Sequence, residues 1–227
     1  MTIPATHYEI EQLYLSAELA ECRSICLTGC QSGDGVTAFA TALAERYLLA
    51  GHRTLLVDLN LHRPAFTQIE TELGNQSWLE HKQTKQTLLG AAIPTDQSTL
   101  LALKDPQQLK NNVGLWLESY DRVIIDTSAM LQVNRGNIPA QVVASACDTT
   151  ILVALAGVTT NRQVSQAVEL LQLSKANLMG TVLNHRDQPN LAQELSRQVE
   201  KLFFLPRSFR RSIKNALQAN EFLNQVV

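Results

Sequence analysis

A glycine-rich turn, one threonine and two strand-end carboxylates are the residues whose types and spacing could do chemistry in this chain. The segment Leu27-Thr28-Gly29-Cys30-Gln31-Ser32-Gly33-Asp34-Gly35-Val36-Thr37 lies between an apolar run (24–27) and a helical pattern (38–50). Strand, glycine-rich turn and helix opening on Gly-x-Thr is the layout of a phosphate-binding loop, in which backbone N–H groups cradle phosphates and the hydroxyl meets a metal. Such a loop carries a lysine before the hydroxyl residue, a point charge that reaches the β- and γ-phosphates. Val36 stands in that place and offers neither proton nor charge. Gly33, Asp34, Gly35, Val36 and Thr37 are the candidate nucleotide contacts. Asp58 and Asp126 each end an apolar run and are the candidate catalytic acids; with Thr37 they form a candidate Mg²⁺ set. Asn184 ends a further run and joins the nucleotide candidates. Simpler roles stay open: Gly33 and Gly35 for a turn with positive φ, Thr37 as a helix cap, Asn184 in a turn.

The elements that must position these residues follow from periodicity. Helical patterns cover 8–21, 38–50, about 136–146, 160–173 and 190–203, and apolar strand-like runs cover 24–28, 54–58, 122–126, 149–155 and 178–184. The polar stretch 65–118 predicts short helices around 65–73, 77–89 and 106–118, with a weak strand at 99–103. Leu202 to Leu205 reads as an edge strand closed by Pro206, and a last helix follows. Strands apolar on both faces that alternate with helices predict an α/β fold with a doubly wound, mostly parallel sheet flanked by helices. Ligands in such sheets bind beyond the carboxyl ends of the strands, where the loop, Asp58, Asp126 and Asn184 fall. No repeat or linker interrupts the chain, so one domain over 1–227 is expected, with an N-terminal helix in 1–22 and a C-terminal helix in 207–227.

With 227 residues, 45% apolar and 18% charged, the composition is that of a globular domain rather than a disordered chain. A net charge of −2 gives no electrostatic case for nucleic acid. No apolar run reaches the roughly 18 residues of a membrane span, and the N-terminus lacks the basic and apolar regions of a signal peptide, so a cytoplasmic protein is expected. Cys22, Cys26 and Cys30 are four apart but straddle a strand and its turn, and no Cys-x-x-Cys pair exists; this argues against zinc. Arg207, Arg210, Arg211 and Lys214 flank the apolar positions Phe209, Ile213 and Leu217, a pattern of a core-packed helix with a solvated basic side or, alternatively, of a helix lying on an anionic membrane.

The chain resembles the cytoplasmic ATPase domain of the bacterial tyrosine kinases (BY-kinases) of capsule and exopolysaccharide systems, on the MinD/ParA side of the P-loop NTPases. Thr28 to Thr37 corresponds to the family loop S-G-x-x-P-x-x-G-K-[ST]. Asp58-Leu59-Asn60-Leu61-His62-Arg63-Pro64 corresponds to D-x-D-x-R-x-P, Tyr120 to Ala129 to Y-D-x-[IV]-I-I-D-T-P-P, and Val182 to Asp187 to V-L-N-[KR]-x-D. The departures are Val36 for the lysine, Asn60 for the second acid, His62 for an arginine and Ser128-Ala129 for a proline pair. Tyr14 and Ala17 stand where the N-terminal helix of the family carries its assembly arginines, and no tail tyrosines follow Tyr120. The resemblance implies a degenerate member acting as a structural or regulatory partner in polysaccharide synthesis or export. Its ATP or ADP and Mg²⁺ would be weakly held or absent. Its partners would be the cytoplasmic part of an inner-membrane polysaccharide co-polymerase, a kinase paralogue or a second copy, recruiting it to the inner membrane. The alternatives are an active kinase or ATPase with a displaced cation, Arg63 or a partner's arginine, and a MinD/ParA-like positioning ATPase.

Overall fold

A computed structural model describes residues 3–61, 64–69, 78–83, 85, 87–91, 97–132 and 136–186, with positions 195, 196, 199, 211, 213 and 215–217 beyond them. The chain divides into two compact units, Met1–Asn184 and His185–Val227. All strands and helices named below lie in the first. In the second, Leu195, Ser196, Val199, Arg211, Ile213, Asn215, Ala216 and Leu217 are helical. The expected edge strand at 202–205 lies outside the described residues, as do Arg207, Phe209, Arg210 and Lys214.

The first unit is an eight-stranded sheet. Its strands are β1 (Ser24–Gly29), β2 (Thr54–Asp58), β3 (Phe66–Ile69), β4 (Trp78–His81), β5 (Thr87–Ala91), β6 (Arg122–Asp126), β7 (Thr149–Leu155) and β8 (Leu178–Asn184). The order is β3-β4-β5-β2-β6-β1-β7-β8, parallel from β5 to β8 and antiparallel at β3 and β4. The helices are α1 (Tyr8–Leu19), α2 (Val36–Leu49), α3 (Gln97–Leu103), α4 (Pro106–Ser119), α5 (Ala140–Ala146) and α6 (Asn161–Leu173).

Alternation along each central strand divides the core. Ile25, Leu27, Leu56, Ile124, Ile151 and Val153 pack with α1 and α2 through Ile10, Ala17, Phe39, Leu43 and Tyr47. Cys26, Leu55, Val57, Val123, Ile125 and Leu152 point to the other face and pack with α3 to α6 through Leu103, Leu109, Val113, Val143 and Leu171. Both faces are covered, which is why these strands read as continuous apolar runs. The doubly wound, mostly parallel α/β sheet expected from the sequence is the fold observed.

Three expectations in the 65–118 stretch are corrected. Residues expected to be helical near 65–73 and 77–89 form β3, β4 and β5 instead. Their apolar anchors Phe66, Leu79 and Leu88 are buried among polar or part-exposed neighbours, so the period is that of strands. A Cβ on Gly90 would overlap the Leu56 carbonyl and the Leu79 side chain, so this glycine is what lets β5 lie against β2. The expected strand at 99–103 is the end of α3, with Leu103 buried and Leu101 exposed.

The helix α1 is fixed by charge as well as packing. Glu18 takes both Nε and Nη2 of Arg122 at 2.8 and 2.6 Å, and Glu11 takes Nε and Nη2 of Arg46 at 2.6 and 3.0 Å. The Arg46 guanidinium lies 4.0 Å from the Tyr14 ring centre, and the Arg122 guanidinium 5.6 Å from that of buried Tyr47.

Candidate functional site

The strand β1 sits between β6 and β7, and its carboxyl end delivers the chain into the glycine-rich turn. Gly33 and Gly35 both have φ of +99°, a conformation that side chains rarely adopt. Gly35 is the N-cap of the 14-residue helix α2. A Cβ there would also overlap the side-chain nitrogen of Asn184, so position 35 must be glycine on two grounds.

The backbone donors of the turn fall into two groups. The Gln31 N–H donates to Asp34 Oδ2 at 2.8 Å, and the Ser32 N–H donates to Gln132 Oε1 at 3.3 Å. The N–H groups of Gly33, Gly35, Val36 and Thr37 make no hydrogen bond among the described residues. They open the N-terminus of α2, where unsatisfied donors and the helix dipole favour an anion. Val36 itself is part-buried and packs on the apolar cluster of α1, α2 and the sheet.

The two acids are brought together by register. Asp58 and Asp126 are paired neighbours on β2 and β6. Their exposures are 2% and 1%, and neither forms an ion pair among the described residues. Thr37 Oγ1 donates to Asp126 Oδ2 at 2.5 Å, while Asp126 Oδ1 has no hydrogen-bond partner among the described residues. Burial pushes the Asp126 carboxyl well above the usual carboxylate range; the nearby Asp58 adds to this and the Thr37 hydroxyl opposes it. Burial also raises Asp58, against the N–H groups of Asn60, Ala65 and Phe66 and the charge of Lys82. The Asn60 and Ala65 N–H groups donate to its two oxygens at 2.9 and 3.0 Å.

Asn184 is placed at the turn, but its Nδ2 donates to the Asp34 carbonyl at 2.8 Å, and the side chain is 8% exposed. It holds the loop. His62, Arg63 and Asp187 lie outside the described residues. Two contributors were not found by sequence reasoning. Gln132, on the segment after β6, donates through Nε2 to Gln31 Oε1 at 2.8 Å. Thr159, after β7, donates to Asp34 Oδ1 at 3.1 Å. A polar residue after a strand on this rim was the available signal, and no motif pointed to either.

These contacts decide what the site could hold. Thr37 Oγ1, Asp58 and the orphaned Asp126 Oδ1 are hard oxygen donors that fit Mg²⁺. The open N–H groups of α2 fit a phosphate. The cation that such a site needs against a triphosphate is missing at position 36.

No family model matches the chain. It is 27% identical over 177 residues to the tyrosine-protein kinase YwqD of Bacillus subtilis (strain 168), covering 71% of this chain and 72% of that protein. The chain is a homologue of the bacterial tyrosine kinases. This kinase homologue is also 27% identical over 192 residues to the succinoglycan biosynthesis transport protein ExoP of Rhizobium meliloti (strain 1021), covering 77% of this chain but only 24% of ExoP. Among solved structures, the kinase domain of the Escherichia coli tyrosine kinase ETK superposes with a TM-score of 0.58 at 22% identity, over 77% of this chain and 73% of that one. At that identity the likeness bears on the fold alone.

Proposed function

We propose that this kinase homologue is a degenerate member, without efficient ATP hydrolysis or tyrosine phosphorylation, that works through protein contacts in exopolysaccharide or capsule production. One observation carries the reading. Val36 packs part-buried against the core at the lysine position, and Asp58 and Asp126 are buried with no ion pair among the described residues. A transferring phosphoryl group needs positive charge in a preorganised site, and its removal costs orders of magnitude in rate. The relatives' names, a tyrosine kinase and a succinoglycan transport protein, support the pathway. The proposed partner is the cytoplasmic part of a polysaccharide co-polymerase or an active kinase paralogue, which would bring the chain to the inner membrane; no helix among the described residues is long and apolar enough to cross it. ATP or ADP with Mg²⁺ would be held weakly, on the α2 donors and on Thr37 and Asp126.

A second reading has its own support, because Thr37 and Asp126 are in place and in contact. It is an active ATPase or kinase using a cation from elsewhere, such as Arg63. Phosphate release and phosphotyrosine formation from Mg-ATP separate the two. The degenerate reading predicts no turnover above that of Asp126→Asn. Turnover in the native chain that Asp126→Asn abolishes would overturn it.

A further inference from the structure

Asp34 is 2% exposed and both its carboxylate oxygens are engaged: Oδ2 by the Gln31 N–H and Oδ1 by the Thr159 hydroxyl. Thr159 is itself fixed, accepting the Leu155 N–H at 2.9 Å. The Asp34 carbonyl is held by Asn184. The loop is therefore tied to the ends of β7 and β8 through one residue. The carboxylate also lies at the loop's root. A Cβ placed on Gly29 would be 3.0 Å from Val36 Cγ2 and 3.2 Å from Asp34 Oδ2, so the side chains of positions 34 and 36 both approach the same point over Gly29.

We propose that Asp34 is an internal occupant of the phosphate loop: its carboxylate takes up a loop donor, repels an incoming phosphate, and would capture any lysine placed at position 36. The inference rests on reading position 36 as an emptied lysine site. In a nucleotide-binding loop, backbone N–H groups aim at an exogenous anion. Here one of them is satisfied by an anion the chain supplies. Like charge at close range in a shielded turn disfavours a second anion. Ties within the chain hold the loop's shape, which suits a protein that works through contacts.

The test is a calorimetric titration with inorganic pyrophosphate of the native chain, Asp34→Asn, Val36→Lys and the double variant, with folding followed by circular dichroism. Asp34→Asn is expected to bind at least about tenfold more tightly than the native chain. Val36→Lys alone is expected to gain much less than it does beside Asp34→Asn, because its ammonium pairs with Asp34. Asp34→Ser keeps an acceptor oxygen for the Gln31 N–H and takes the same assay if the asparagine variant does not fold. Two results would overturn the proposal: neutral variants at position 34 that bind within about twofold of the native chain, or Val36→Lys binding as tightly alone as in the double variant. Turnover of Mg-ATP by the native chain would defeat the functional reading instead, and this four-way comparison would still decide the role of Asp34.

Discussion

Two regions of the molecule treat charge in opposite ways. Where α1 docks on α2 and β6, the part-buried cations are matched: Glu18 with Arg122 and Glu11 with Arg46, each through two nitrogens and each beside a tyrosine ring. At the carboxyl ends of β2 and β6, Asp58 and Asp126 lie side by side, more deeply buried, with no ion pair among the described residues. Stability alone does not favour two adjacent buried acids. The first region is architecture. The second has the layout of a site with Val36, not a cation, at the position that would balance it.

The largest expected effect comes from breaking the matched region. Glu18→Gln leaves Arg122 part-buried and uncompensated, and urea unfolding should show a loss of about 2–4 kcal/mol. A loss near zero would mean that the pair contributes no more than a surface bridge. Relieving the unmatched region should do the reverse. Asp126→Asn removes a buried acid and should raise stability at neutral pH by about 1 kcal/mol or more.

A pH series sharpens the same contrast. Asp58 and Asp126 are both raised in the folded state, so folded protein holds their protons more tightly than unfolded chain does. Their favourable contribution is complete below the unfolded aspartate value of about 4 and is lost as pH rises through the folded values. The thermal midpoint of the native chain should therefore fall on going upward from about pH 4, and Asp126→Asn should flatten that fall. An unchanged slope in the variant would contradict the assignment.

The smallest effect is expected at the exposed pair Arg53–Asp121, where the Arg53 hydrogen bonds hold the Asp121 carboxyl down at about 2. A depressed acid contributes stability above the unfolded value and loses it as pH falls through the folded one. Because the pair is solvent-screened, Arg53→Ala should leave the urea midpoint at neutral pH almost unchanged, and a clear drop would mean that the pair does more than a surface bridge.

Much of this contrast was legible in the sequence because the central strands are buried on both faces and end in polar residues. The runs before Gly29, Asp58, Asp126 and Asn184 announced both the sheet and its polar rim. The antiparallel edge was not legible: β3 and β4 are four residues each, too short for a period to separate strand from helix, and Gly90 makes sense only once Leu56 is beside it. The loop's glycines were readable as turn residues, and the structure adds the Asn184 contact that demands one of them. The self-engagement of Asp34 was not readable, because Thr159 and Gln132 are far from it in sequence and belong to no phosphate-loop pattern.

The measurement that bears most directly on the unbalanced site is a calorimetric titration of the purified native chain with Mg-ATP and with Mg-ADP. Val36 at the lysine position, with no ion pair to Asp58 or Asp126 among the described residues, predicts no binding at micromolar concentrations. Micromolar binding of Mg-ATP would contradict that prediction and show that a cation from elsewhere reaches the phosphates.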